Sequence, residues 1–183
     1  VGGVGYRFES GGIYYMIDEN QTVSVTKKNP NSAGGYMGDI VIPNQVNYNG
    51  ITYSVTSIGV NAFDGCKISS VTIPHSIKVI CINAFDECWD LTSVNITDLD
   101  AWCNITFDSN PLYYAHHLFL NGTEITELNI TKSISRIKST TFIGCTGLTS
   151  VTIPDNVTSI GDYAFANCCN LNSIIVDIKN PFA

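Results

Sequence analysis

Seven cysteines and three histidines are the side chains of this 183-residue sequence best suited to nucleophilic, redox or metal chemistry. Thiolates attack and ligate, and imidazoles move protons and ligate. Cys66, Cys88, Cys145 and Cys168 recur at one slot of a repeating unit, which suits a buried packing ladder better than a redox or metal set. Cys81, Cys103 and Cys169 fall outside that slot, and a disulfide among those three stays open. No C-x-x-C pair occurs, His75 stands alone and His116-His117 are adjacent, so no zinc pattern is complete. Cys103 with His116 or His117 is a nucleophile–base pair that a fold could still assemble, because such partners need be neighbours only in space. No G-x-S-x-G, H-E-x-x-H, Gly-rich phosphate loop or dinucleotide fingerprint is present. We expect no catalytic, cofactor-binding or metal-binding residues, and rank an enzyme last among the functions considered.

Contact chemistry remains, and two groups of residues could supply it. The first is a row of small polar side chains facing outward from successive strands: Ser70 and Thr72, Ser93 and Asn95, Glu127 and Asn129, Ser150 and Thr152, and Ser173 beside Ile175. Such a row solubilises a sheet face and also lets a flat partner approach. The second is aromatic: Trp89, Tyr113 and Tyr114, of the residue types that dominate binding hot spots and stack on sugars. Trp102 and Phe119 occupy apolar slots and are expected in the core. The equivalents of Trp89 are Thr146 and Cys169, in a turn that tolerates polar residues. Even so, the insert that follows is expected to cover it.

A 23-residue unit must position these groups. Val71-Thr72-Ile73-Pro74 to Ser93 aligns with Val151-Thr152-Ile153-Pro154 to Ser173, and Leu128-Asn129-Ile130-Thr131 to Ser150 is a third copy. The aligned starts 71, 94, 128, 151 and 174 are 23, 34, 23 and 23 residues apart, so the second step is one unit plus eleven inserted residues. A fixed period of this size marks a solenoid, in which each unit buries its apolar face on its neighbours. Within a unit, Ser150 to Ile153 alternates polar and apolar as a half-buried strand does, and Pro154 ends it. Val157, Ile160, Ala164, Phe165 and Cys168 follow at helical or turn-like spacing. The strands near 40–42, 71–73, 94–96, 128–130, 151–153 and 174–176 are expected to form one parallel ladder. Phe63, Phe85, Phe142 and Phe165 are expected to form a continuous spine behind it.

The units read V-T-I-P-x-x-V-x-x-I-x-x-x-A-F-x-x-C-x-x-L-x-S, which resembles the BspA-type leucine-rich repeat over roughly residues 40–178. No Asn ladder follows the strand, since Gln45, Ser76, Ser133 and Asn156 stand there, so that geometry is not carried over. The resemblance implies a right-handed leucine-rich-repeat-like solenoid, β-rich with short helical or turn segments on its outer side. It also implies a secreted or surface-anchored bacterial protein used in adhesion or protein binding.

Residues 1–39 lack the repeat and read as an N-terminal β-hairpin cap. Residues 40–183 read as a solenoid of about five units, with a hairpin at 47–55 and a variant insert at 97–127. In the insert, Asp98 to Cys103 suits a short helix start, Asn110-Pro111 a turn before Leu112-Tyr-Tyr-Ala115, and Asn121-Gly122 a type I′ hairpin. The strand at 174–176 has no evident cap before Asn180-Pro-Phe-Ala183, so that edge is expected to pair with more chain or another subunit. The opening Val1-Gly2-Gly3 fits a trimmed chain better than a native start. Net charge is −7 with nine basic residues, which argues against nucleic acid as a partner, and no apolar run is long enough for a transmembrane helix. Six Asn-x-Thr triplets fit an Asn/Thr-rich repeat surface. The leading function is protein–protein interaction or adhesion through the repeat surface. A glycan-binding module with exposed aromatics and a structural spacer are the alternatives. Coplanar exposed rings would favour sugar, and a flat polar sheet would favour protein.

Overall fold

Residues 2–177, the part of the chain that the computed structural model describes, wind through a series of coils that each cross two ladders of short strands. The first ladder takes the period-2 segments of the repeat. Met37–Val41, Lys67–Ile73, Ser93–Ile96 and Leu118–Leu120 run parallel, with Ile40, Val71, Val94 and Leu118 in register. Thr123–Glu124 closes this sheet antiparallel to Leu118–Leu120. A second parallel sheet holds Glu127–Asn129, Ser150–Ile153 and Ser173–Val176, with Leu128, Val151 and Ile174 in register. The expected single ladder is therefore two sheets, broken where the hairpin Leu118–Glu124 turns aside. Asn121 and Gly122 both have positive φ (49° and 83°), as the type I′ turn requires.

The other ladder uses the second apolar pair of each unit. Ile51–Ile58, Val79–Ile80 and Thr106–Phe107 pair in parallel, and Arg136–Ile137 pairs with Ser159–Ile160 as a separate two-stranded sheet. Gln45–Tyr48 folds back on Ile51–Ile58 as the anticipated hairpin. The N-terminal strands Arg7–Ser10, Ile13–Ile17 and Thr22–Thr26 form an antiparallel meander whose last member pairs in parallel with Ile51–Ile58. Among the described residues the helices are confined to the insert: α1 (Leu99–Asn104), capped by Asp98, and α2 (Leu112–Ala115). Elsewhere the helical or turn-like spacing around each Phe resolves as a turn. The residues two before and two after it have positive φ: Asn61 and Gly65, Asn83 and Glu87, Thr140 and Gly144, Tyr163 and Asn167. Asn and Gly tolerate that region best, which is why they recur there. At Gly144 a Cβ would also stand 3.0 Å from the Leu112 carbonyl, so space and φ both call for glycine.

The insert holds a complete coil. Val94 to Leu118 spans 24 residues and Leu118 to Leu128 spans ten, so the long step is a coil plus a hairpin excursion. The Phe row is accordingly two stacked pairs, not a continuous spine. Phe63 lies on Phe85 at 5.1 Å and Phe142 on Phe165 at 5.4 Å, with rings within 21° of parallel. Phe165 is only partly buried; the other three are fully enclosed. Where both ladders break, side chains stitch the coils together. The Trp102 indole donates to the Thr141 carbonyl (3.1 Å), and the buried Asn110 amide donates to the Thr140 carbonyl (2.8 Å). The Asn110 oxygen accepts from the Leu112 amide, closing the network on α2. Trp102 is in the core as expected. Phe119 is not: it stands half-exposed in the outward row opposite Asn95 and Glu124. The tail Asn180–Ala183 and the residues beside it lie outside the described residues.

Cys66, Cys88, Cys145 and Cys168 are buried, and all seven thiols are unpaired. The Cys88 and Cys168 thiols each donate to the Phe carbonyl of the preceding coil, Phe63 and Phe142, at 3.1 Å. Alkylation of the unfolded, unreduced protein should tag all four slot cysteines, whereas the native protein should label fastest at the exposed Cys169. A native disulfide between any two slot cysteines would overturn the packing-ladder account.

Candidate functional site

Strand alternation places the polar row on the sheet face opposite the core. Ser70 pairs with Ser93 and Thr72 with Asn95 in the first sheet; Glu127, Ser150 and Ser173, and Asn129 and Thr152, line up in the second. The two halves are thus separate tracts. Ser70 donates to Asp39 (2.7 Å) and Asn95 accepts from the Gly122 amide (2.9 Å), which fixes two of the side chains. The sequence pattern missed two members. Val41, 66% exposed, sits beside Thr72, and Phe119 sits beside Asn95. The signal was available in the register, since Val41 follows the inward Ile40 as Thr72 follows Val71.

The aromatic group is assembled by the turn after Phe85 and by α2. Trp89 is 76% exposed, so the insert does not cover it as expected. The insert instead sets Tyr114 against the Trp89 ring in a T-shaped pair, with centroids 5.2 Å apart and planes at 86°. Tyr113 meets Tyr114 at 5.2 Å and 75°. The Tyr114 hydroxyl donates to the Asp86 carboxylate (2.8 Å) and accepts from the Glu87 amide (3.1 Å). Burial first, then the bond to Asp86, raises the Tyr114 hydroxyl above its ordinary value, which keeps it protonated as a donor. The three rings line a cleft of about 460 Å³ with Leu91 and His117.

The possible Cys103 pair is not assembled for catalysis. Burial, then Asp100 and Asp98, pushes the Cys103 thiol up to about 12, so the thiolate needed for attack is strongly disfavoured near neutrality. Both imidazoles bond elsewhere: His116 Nδ1 to the Gly144 carbonyl (3.1 Å) and His117 Nδ1 to Glu124 (2.6 Å). Facing a carbonyl, His116 Nδ1 must carry the hydrogen. Among the described residues no group of three or more His, Cys, Asp or Glu side chains is placed to hold a metal ion. No helix among them is long and apolar enough to cross a membrane.

The architecture is shared with solved structures. A leucine rich cell surface protein from Faecalibacterium prausnitzii A2-165 is similar at 22% identity and a TM-score of 0.55, over 95% of this chain and 55% of that one. A leucine rich repeat protein from T. pallidum is similar at 20% identity and a TM-score of 0.50, over 92% of this chain and 71% of that one. This chain therefore spans little more than half the length of the F. prausnitzii protein. No curated protein sequence matched it. The family model for the BspA type leucine rich repeat region matches with six copies, over residues 43–115 and 113–181, and on that match the chain belongs to the BspA-type leucine-rich-repeat family.

Proposed function

We propose that the protein is a binding module of the bacterial cell surface that contacts another extracellular protein through the outward faces of its two repeat sheets. The observation that supports this most is the register of the polar row: small side chains at matched heights leave a flat, hydrogen-bonding surface with Val41 and Phe119 as apolar anchors. The surface location rests on the family and on the cell-surface description of the F. prausnitzii relative. In this reading residues 1–39 cap a right-handed coil formed by residues 40–183, and the protein has adhesion as its role and no enzymatic activity. Glycan stacking on a flat aromatic platform fits less well, because Tyr114 stands at 86° to the Trp89 ring and at 75° to the Tyr113 ring.

The test is a binding screen against extracellular-matrix proteins and glycans, repeated with Thr72→Lys and Thr152→Lys together. One charge then falls in each sheet tract. Outward strand positions carry little core energy, so stability should change by less than about 0.5 kcal/mol for each substitution. Affinity for a protein partner should fall about tenfold or more, the equivalent of about 1.4 kcal/mol. Unchanged affinity in the double variant would remove the sheet faces as the contact surface.

A further inference from the structure

We propose that Trp89, Tyr113 and Tyr114 form an aromatic cage for a small organic cation, of the trimethylammonium class. The site is separate from the sheet faces and does not depend on them. Three features of the cleft point to this ligand. The first is ring orientation. Trp89 stands at 86° to Tyr114 and Tyr113 at 75° to it, so the cleft has walls in more than one plane. A pyranose needs one broad face to lie on, whereas a tetrahedral, methylated cation presents its surface in every direction and gains from each ring face that meets it.

The second is order. Tyr114 is fixed through its hydroxyl to Asp86 and to the Glu87 amide, and its ring in turn braces Trp89. A large indole that is 76% exposed contributes little to the core, and the slot tolerates Thr146 and Cys169 in the other copies, so folding does not demand Trp there. Preorganised rings avoid the ordering cost that otherwise weakens ligand binding.

The third is charge. Asp86, Glu87 and Asp90 surround Trp89 in the sequence D-E-C-W-D, within a chain of net charge −7. Asp86 also borders the neighbouring cleft of about 410 Å³, on the far side of Tyr113 and Tyr114, together with Asp108. Lys67 lines the shallow hollow on the other face of Trp89 with Glu87 and Asp90, where the carboxylates outnumber it. His116 and His117 border the cage cleft itself. No carboxylate lines the cleft itself, so the ring quadrupoles are what favour a cation inside it, and the acidic groups around it add attraction only from outside. A volume of about 460 Å³ accommodates a small molecule.

The experiment titrates the whole chain with tetramethylammonium and choline at low salt and follows indole fluorescence. Trp102 is 1% exposed, so a saturable change reports on Trp89. The neutral isostere 3,3-dimethylbutanol is the matched control. The cations should produce a saturable change, and the isostere should bind about tenfold or more weakly because it lacks the charge the rings attract. Tyr113→Ala, an exposed position, should weaken cation binding about as much while circular dichroism stays unchanged. Trp89→Ala, followed by ligand-observed NMR, should abolish it. Sedimentation with phosphatidylcholine vesicles separates the sources: retention on vesicles assigns the cation to a lipid headgroup, and choline binding without retention assigns it to a free solute. Equal binding of cation and isostere, no saturable change with either cation, saturation by methyl pyranosides instead, or an unaffected Tyr113→Ala would each overturn the cage. None of these results bears on binding of a protein partner to the sheet faces, which the Thr72 and Thr152 substitutions test on their own.

Discussion

Between pH 9 and 12 the protein should lose most of its stability. Burial pushes the thiols of Cys88, Cys103 and Cys145 from an ordinary value of 9.0 up to about 12, and those of Cys66 and Cys168 also upward. The Tyr36 hydroxyl, buried and bonded to the Thr26 carbonyl, rises to about 12 from 10.0. An unfolded chain releases the thiol protons from about pH 9 upward, while the folded chain keeps them until about pH 12. Over that window the unfolded state binds fewer protons, so stability is fully present below pH 9 and falls as pH rises. Each thiol contributes roughly 1.4 kcal/mol per pH unit, so Cys88, Cys103 and Cys145 alone remove on the order of 8 kcal/mol by about pH 11. That matches the whole stability of a typical domain, about 5–15 kcal/mol. Denaturant titrations in reducing buffer should show a plateau up to about pH 9, then a steep decline. Replacing Cys88 and Cys145 with Ala should make the decline shallower, although the variant starts from a lower plateau. A flat profile to pH 11 would mean these thiols are not shielded as the fold places them.

The repeat made the strands, the four Cys positions and the alternation of inward and outward residues legible in the sequence, because a period of 23 repeats the physical demand at each slot. The hairpin at Asn121-Gly122, the short helix starting at Asp98 and burial of Trp102 were legible from local chemistry. What the sequence hid was pairing between coils. Residues 97–127 read as a variant coil of the stack, but no V-T-I-P signature announces Leu118, so its place in the first ladder and the break in both ladders after it stayed hidden. Phe119 was misplaced by that same gap: without the register of Leu118 its side chain could not be assigned to the outward face. Trp89 was misjudged because whether an insert covers a turn depends on its path. Here α2 passes beside the indole, and Tyr114 touches it in a T-shaped contact without covering it. The segment around each Phe was left between helical and turn-like spacing because apolar periodicity ignores φ, although Asn61, Gly65, Asn83, Gly144 and Asn167 spelled out the left-handed positions of a turn.

Phe142→Ala should cost about 3–5 kcal/mol, the usual range for a buried aromatic. Its side chain is 1% exposed and stacks on Phe165, and its carbonyl accepts from the Cys145 amide and the Cys168 thiol. It also borders the level at which both strand ladders are interrupted. There the adjoining coil is attached mainly by side chains, through Trp102 to the Thr141 carbonyl and Asn110 to the Thr140 carbonyl. Each coil in a solenoid is stabilised by its neighbours, so a cavity at the weakest interface lowers coupling as well as local packing. Trp102 fluorescence, which reads that interface, and circular dichroism, which reads both sheets, should therefore give one coincident urea transition in the parent protein. In Phe142→Ala they should separate, with the C-terminal coils unfolding first. Phe165→Ala supplies the comparison. Its ring is only partly buried, so less packing is lost, and the cost should be well below that of Phe142→Ala. Equal costs at the two positions would place the packing weight evenly along the pair and remove the junction from the explanation. A loss at Phe142 below about 1 kcal/mol would show that the ring is not held in the core at all.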